Sequence, residues 1–213
     1  MSGRFDVFHS LDPEKQKRII DAALDEFAVK GFKRASTNAI AENAQIGKGM
    51  LFYYFGNKEE LFDFLCQYAI AFAKDKYLRT HELDTNDFLL RYQRLTEIKR
   101  KTIAEHPKFA AFFESFYQDW SAESLEKYMA ETTEIRSRII AELTDGIDYS
   151  LFRDDMDGEH IVKYITWLFD SYSQEVTDRF RSGELTVDSE DVITAEWTRY
   201  DSFIKDLRKL FYK

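Results

Sequence analysis

Residues 46–61, IGKGMLFYYFGNKEEL, place aromatic rings and hydrogen-bond donors side by side. Tyr53 and Tyr54 each carry a hydroxyl at the tip of a flat ring, and Lys48 and Lys58 carry ammonium groups on either side of them. A tyrosine ring can pack on a sugar while its hydroxyl donates to a phosphate oxygen, at little cost in side-chain entropy. A lysine can donate to a phosphate or to the O6 and N7 atoms of guanine. These residue types suit contacts with duplex DNA.

Two short helices are predicted to position these groups. The first covers about 36–44 and the second about 48–55, with a turn between them. On the second helix Leu51 and Phe55 are one turn apart and face inward, so the two tyrosines can present their hydroxyls outward. This arrangement is a helix-turn-helix by length, although any pair of short antiparallel helices can imitate one.

The remaining chain has helical periodicity nearly throughout, and no window alternates with a period of two. Asp12 is expected to cap the first long helix, and Asn57 with Glu60 forms a capping-box pattern before another. The fold class is therefore all-α, with an N-terminal helix-turn-helix domain over 1–56 and a helical domain over 57–213. About nine helices are predicted, over residues 12–31, 36–44, 48–55, 57–80, 85–105, 107–119, 122–144, 158–182 and 188–212.

Composition and charge limit the classes of function. The 213 residues include one cysteine, Cys66, and carry a net charge of −9, all of it in residues 61–213, because residues 1–60 are neutral. The sequence shows neither a run of 18 apolar residues nor a secretory signal, so we expect a cytoplasmic protein outside the membrane. The four histidines lack metal-ligand spacing, and we find no nucleophile–base pair or phosphate loop. We therefore expect no metal, no cofactor and no enzymatic activity.

Four segments in order resemble one known family. They are Ile20-x-x-Ala23-x-x-x-Phe27-x-x-x-Gly31-Phe32, Thr37-x-x-Ile40-Ala41, Ile46-Gly47-Lys48-Gly49-x-Leu51-Phe52-Tyr53-Tyr54-Phe55 and Lys58-Glu59-Glu60-Leu61. Together they resemble the N-terminal domain of the TetR family of bacterial transcriptional repressors, over about 50 residues. The resemblance implies a ligand-responsive repressor that binds a palindromic DNA operator as a homodimer and is released by a small, hydrophobic or aromatic effector.

The resemblance also implies roles for single residues. Phosphate contacts fall to Thr37, Tyr54 and Lys58, and contacts in the DNA groove to Asn38, Lys48, Gly49, Met50 and Tyr53. Gln45 stands where the family commonly has a turn glycine. We expect either a positive φ at Gln45, at a cost of about 1 kcal/mol, or a turn of another shape.

The C-terminal part is expected to hold the effector and to form the dimer. The proposed pocket lining consists of Phe112, Phe116, Trp120, Tyr128 and Trp167. The last two helices carry apolar stripes, which suit either an internal core face or a helix pair between subunits. We place the dimer interface at Ile165, Phe169, Tyr172, Trp197, Tyr200 and Ile204.

Other interpretations are weaker. The acidic run Asp154–Gly158 imitates a calcium-binding loop, but Arg153 and Tyr164 occupy positions that need carboxylate ligands. Cys66, among apolar neighbours, is interpreted as a small core residue. An all-α module that binds a small molecule or partner without binding an operator remains the alternative to a repressor, and an all-α enzyme is the least favoured class.

Overall fold

The computed structural model describes residues 5–77, 83–119, 122–187 and 189–213, without the side chains of 116–119, 122–127 and 129–131. It confirms the all-α class: the described residues form helices and no named strand. The helices are α1 Asp6–His9, α2 Pro13–Arg34, α3 Thr37–Asn43, α4 Lys48–Phe55, α5 Lys58–Tyr77, α6 Phe88–Glu105, α7 Pro107–Asp119, α8 Ala122–Thr144, α9 Gly158–Ser182 and α10 Glu190–Phe211. None of these described helices has the length and apolar character required to cross a membrane.

The nine predicted helices correspond to α2–α10, and α1 was not predicted. The α2 helix differs from its prediction at the C-terminus, because it continues to Arg34 past a kink at Gly31, where φ is 65°. Its N-terminus agrees with prediction, since the Asp12 carboxylate accepts a hydrogen bond of 3.0 Å from the amide of Glu14. The chain divides into two compact units, Met1–Ala73 with His106–Tyr128 and Lys74–Glu105 with Met129–Lys213.

In the first unit, α7 packs along α2. The fully buried Phe112 of α7 meets the Phe62 ring at 5.7 Å, in the same apolar core as Leu24 and Phe27 of α2. At the rim, the Lys108 ammonium pairs with the Asp25 carboxylate at 2.5 Å. The unit that contains α3 and α4 therefore takes part of its core from a segment that comes much later in the sequence.

The short helix α1 supplies a further part of the first unit's core. Phe8 is buried, with its ring 4.9 Å from that of Phe55 and 5.1 Å from that of Phe64. The side-chain amide of Gln16 donates to the carbonyl oxygens of His9 and Leu11, which fixes the link between α1 and α2. This helix thus packs directly beneath α4.

The second unit has an aromatic core that joins α6, α9 and α10. The Tyr92 and Phe169 rings stack at 3.6 Å, and the Tyr200 hydroxyl donates to the backbone carbonyl of Tyr92. Two charged side chains of this unit, Arg91 and Asp87, form hydrogen bonds at the ends of its helices. The buried Arg91 guanidinium donates to carbonyls at the end of α8, and Asp87 accepts hydrogen bonds from Arg208 and Tyr212.

Candidate nucleic-acid interface

The turn between α3 and α4 is built around Gln45. Its φ is 57°, so the first of the two expected alternatives, a left-handed residue at the glycine position, is the one observed. The amide of Ile46 donates to the carbonyl of Ala41 at 2.9 Å, and Gln45 itself is exposed. The turn keeps its shape without glycine, at a conformational cost.

The start of α3 is held by two side-chain hydrogen bonds. The hydroxyl of Ser36 accepts from the amide of Ala39 at 3.4 Å, and the amide of Ser36 donates to the Glu26 carboxylate at 2.8 Å. Thr37 follows as a half-buried residue and Asn38 as an exposed one. Both lie in the first turn of α3, where free backbone amides favour an anion.

The two faces of α4 differ as predicted. Leu51 and Phe55 are buried, whereas Tyr53 is 65% exposed and Met50 is 40% exposed. Lys48 and Gly49 are also exposed. A Cβ atom added to Gly49 would meet nothing within 4 Å, so the fold itself does not require glycine at this position. The exposed set therefore offers a lysine, a thioether, a tyrosine and accessible backbone on one short helix.

Tyr54 differs from the prediction of an outward-facing ring. It is 3% exposed, and its ring lies 6.4 Å from that of Phe8. The ammonium of Lys15 lies 5.6 Å from the centre of the Tyr54 ring. Helical spacing explains this burial, because Tyr54 comes three residues after Leu51 and therefore lies on the same inward face.

Lys58 also has an environment that the sequence did not indicate. Its ammonium donates to the backbone carbonyls of Ala35 at 2.9 Å and of Lys33 at 3.2 Å. It also lies 5.0 Å from the centre of the Phe32 ring. The next helix start matches the predicted capping box in its residues: the Asn57 side chain accepts from the amide of Glu60 at 2.8 Å and donates to the Glu60 carboxylate.

The charges near α3 and α4 favour an anionic partner. Lys30, Lys33 and Lys48 are exposed, and within the described residues none of them forms an ion pair with a carboxylate. Glu42 is the one acidic residue within 33–58. Segment 33–58 therefore carries a net positive charge although the whole chain is acidic.

Among the described residues, the predicted effector residues belong to both units. Phe112 and Tyr128 both belong to the first unit, where the Tyr128 hydroxyl donates to the Asp63 carboxylate. Burial and this carboxylate raise the pKa of Tyr128. Trp167 belongs to the second unit and is 56% exposed. Trp120 and the side chain of Phe116 lie outside the described residues.

The predicted dimer residues lie largely inside the second unit. Ile165, Phe169, Tyr200 and Ile204 are buried in its core. Tyr172 and Trp197 are half-buried, and Tyr172 donates to the buried Glu196 carboxylate, which also pairs with Arg179. The apolar side chains that remain exposed on α9 are others: Tyr164, Trp167 and Leu168.

The acidic run before α9 forms local contacts. The Asp157 carboxylate caps α9 by accepting from the amide of His160 at 3.0 Å. Asp155 pairs with Arg153, which holds the pKa of the Asp155 carboxyl below its ordinary value. Within the described residues, no group of three or more histidine, cysteine or acidic side chains is arranged to hold a metal ion.

Comparison with known proteins identifies the N-terminal region. A sequence profile described as bacterial regulatory proteins, tetR family, matches residues 19–64, which span most of α2, all of α3 and α4 and the start of α5. The N-terminal part of the chain is therefore that of a TetR-family regulator. This is a family of transcriptional regulators that bind DNA and small-molecule effectors, and not a family of enzymes.

Curated relatives agree with this chain most closely in the N-terminal region. The HTH-type transcriptional regulator YhgD of Bacillus subtilis is 40% identical over 50 residues, which is 24% of this chain and 26% of that protein. The HTH-type transcriptional repressor KstR2 of Mycobacterium tuberculosis is 23% identical over 158 residues, covering 72% of this chain and 78% of that protein. The match to YhgD thus spans about a quarter of either protein.

Solved structures of TetR-family regulators share the fold over nearly the whole chain. The ketosteroid transcriptional regulator KstR2 of Mycobacterium tuberculosis has a TM-score of 0.59 at 18% identity, covering 96% of this chain and 97% of that one. A TetR-like regulator from Rhodococcus sp. RHA1 has a TM-score of 0.58 at 22% identity, with coverage of 94% and 97%. The fatty acid degradation regulator FadR of Bacillus halodurans has a TM-score of 0.55 at 22% identity, with coverage of 91% and 96%.

Proposed function

We propose that this TetR-family protein is a cytoplasmic repressor that binds a palindromic operator as a homodimer and is released by a small hydrophobic effector. Residues 1–56 would read DNA, and residues 57–213 would provide effector binding and dimerisation. The observation that carries the proposal is the division of α4 into a buried face and an exposed face with Lys48, Met50 and Tyr53. Such a face gives base and phosphate contacts without loss of core packing.

Within the proposed interface, the exposed residues divide into two roles. Thr37 and Tyr53 would donate hydroxyls to phosphates or pack on sugars, and Asn38, Lys48 and Met50 would meet base edges in the major groove. The exposed backbone at Gly49 would allow close approach to the groove. The buried ring of Tyr54 contributes through its support of α4.

DNA binding can be tested with a duplex that the protein itself enriches from a random-sequence pool. Fluorescence anisotropy should show tight binding that weakens with rising salt, since phosphate contacts release counterions. Lys48→Ala should relax preference at one base pair in each half-site, whereas Lys30→Ala, at an exposed position of α2, should leave base preference unchanged. Failure to enrich any duplex would favour the module that binds a small molecule or partner without an operator.

The homodimer is proposed to use the exposed apolar face of α9, which comprises Tyr164, Trp167 and Leu168. The residues that the sequence places at the interface, such as Ile204, are buried in the core of the second unit. Trp167→Glu should therefore give monomers in sedimentation, and these monomers should remain folded because Trp167 is exposed within the subunit. Ile204→Glu should instead unfold the chain, since it places a charge in an apolar core. A dimeric Trp167→Glu variant would place the interface elsewhere.

The effector is proposed to be mainly apolar, with Phe112 and Tyr128 in its site. The aromatic surroundings of Phe112 support this, and solved structures described as a ketosteroid transcriptional regulator and a fatty acid degradation regulator agree with it. Native mass spectrometry of the purified protein tests for a co-purified apolar molecule. If that molecule is the effector, operator DNA must weaken its binding by the factor by which it weakens operator binding. Equal affinity with and without operator would exclude it.

A further inference from the structure

The connection between α2 and α3 contains backbone carbonyls that no regular helix satisfies. The α2 helix is kinked at Gly31, and Ala35 leaves it with a ψ of 138°. The last carbonyls of a helix need partners from elsewhere, because no following turn donates to them. In this protein the side chain of Lys58, at the first position of α5, reaches two of them, those of Lys33 and Ala35.

The environment of the Lys58 ammonium is a defined site. Two of its three N–H donors are directed at carbonyl oxygens 2.9 and 3.2 Å away. The Phe32 ring, 5.0 Å away, adds an aromatic face that attracts a cation. An exposed lysine that waits for a phosphate would keep its donors in water. Lys58 instead directs two of its three donors to carbonyl oxygens of the protein.

The residues that follow these carbonyls are the proposed phosphate and groove contacts of α3. Ser36, directly after Ala35, is held on its other side by the Glu26 carboxylate. Thr37 and Asn38 come next in the chain. A side chain that fixes residues 33–35 therefore also sets where α3 begins.

We propose that Lys58 is a positioning residue: it fastens the α2–α3 connection to α5 and so orients Thr37 and Asn38, and it does not itself contact DNA phosphate. This differs from the phosphate contact that the family resemblance implies. Only the statement about DNA phosphate rests on the proposed DNA binding. The statement that Lys58 fastens the α2–α3 connection to α5 can be tested on the free protein.

The first experiment uses the unmodified protein and limited acylation with acetic anhydride, followed by peptide mass spectrometry. In the free protein Lys58 should react about tenfold more slowly than the exposed Lys30 and Lys48, because its ammonium is already hydrogen-bonded. Addition of the enriched duplex should slow the acylation of Lys48 and leave the acylation rate of Lys58 unchanged. Lys58 that reacts as fast as Lys30 in the free protein, or that becomes protected only with duplex, would overturn the proposal.

The second experiment compares Lys58→Met, which keeps the aliphatic stem, with Lys30→Met, which removes the same charge from an exposed site. Lys58→Met should lower the melting temperature by about 3 °C or more. It should also speed amide hydrogen exchange at Ala39 and Ile40, whose amides bond to Ser36. Lys30→Met should change neither quantity.

The salt dependence of duplex binding separates the two roles of Lys58. A positioning residue predicts that Lys58→Met weakens binding several-fold while the slope of log K against log salt stays unchanged. A phosphate contact predicts a slope lower by about one unit per subunit, with hydrogen exchange unaltered, and that result would refute the proposal. If the unmodified protein binds no duplex, the proposed function fails, while acylation and exchange still decide whether Lys58 positions α3. If Lys58→Met does not fold, the acylation comparison decides alone.

Discussion

At the scale of single residues, Gln45 carries a measurable conformational cost. Among the described residues it is the one non-glycine with a positive φ. Glycine adopts this conformation without strain, and this gain is only partly offset by the larger entropy that glycine loses on folding. Gln45→Gly should therefore stabilise the protein by about 0.5–1 kcal/mol in urea unfolding. Gln45→Ala is the matched control, because it keeps the strained φ and should give no gain. Equal stability of all three proteins would mean that the turn tolerates Gln45 without strain.

Asp87 predicts a dependence of stability on pH. Burial acts to raise the pKa of Asp87, but hydrogen bonds from the Leu90 amide, Arg208 and Tyr212 outweigh it and hold the pKa below its ordinary value. A lowered folded-state pKa stabilises the protein above the unfolded-state value of about 4. This stabilisation is lost as the pH falls through the folded-state pKa.

Asp87→Asn should therefore cost about 2 kcal/mol of unfolding free energy at pH 7, since the lost partners include a charged one. The difference from the unmodified protein should shrink as the pH is lowered below about 4. Chemical denaturation from pH 7 downward measures both values. A difference that stays constant over this range would show that the Asp87 charge does not contribute.

The residue scale also shows what sequence patterns left undetermined. The exposed set on α4 followed from helical spacing, because Leu51 and Phe55 had to face the core. The Lys58 contacts could not be predicted, since they depend on where α5 lies in space relative to Lys33 and Ala35. Whether Gln45 would take a positive φ was also open, because the sequence states the residue and not the shape of the turn.

At the scale of elements, α1 gives a direct prediction. Phe8 is buried against Phe55 and Phe64, beneath the helix proposed to read DNA. Phe8→Ala should destabilise the protein by about 3–5 kcal/mol through lost burial and a cavity. The exposed Val7 of the same helix is the control, and Val7→Ala should stay within about 0.5 kcal/mol of the parent. Thermal unfolding compares the two, and equal effects would mean that α1 is not part of the core.

Helical periodicity predicted α2–α10 and missed α1 for a physical reason. A helix of four residues is about one turn, so no apolar pattern can repeat along it. The same periodicity could not tell a core face from a subunit interface. The stripe with Tyr200 and Ile204 suited either of the two, and the structure places both residues in the core of the second unit. An apolar stripe indicates that a helix face is buried, but not whether the same chain or a second subunit buries it.

At the scale of the whole molecule, the first unit is assembled from two separate stretches of chain, Met1–Ala73 and His106–Tyr128. A fragment that ends at residue 73 would lack α7 and with it the buried Phe112. We expect this fragment to unfold at a lower temperature than the full chain, with weaker protection of the α2 amides from hydrogen exchange. The missing core side chain alone is worth about 3–5 kcal/mol. A fragment as protected as the full chain would show that α7 adds no stability.

During synthesis on the ribosome, the two stretches of chain that form the first unit are made at different times. Residues 1–73 are made before residues 106–128, and translation of the intervening segment takes on the order of a few seconds. During that interval the side of α2 that α7 later covers has no native partner in the nascent chain. Small domains can fold faster than this, so the delay is set by elongation and not by folding. A growing polypeptide of this kind presents the apolar face of α2 to the surrounding solution, and to any chaperone at the ribosome, until its second stretch emerges.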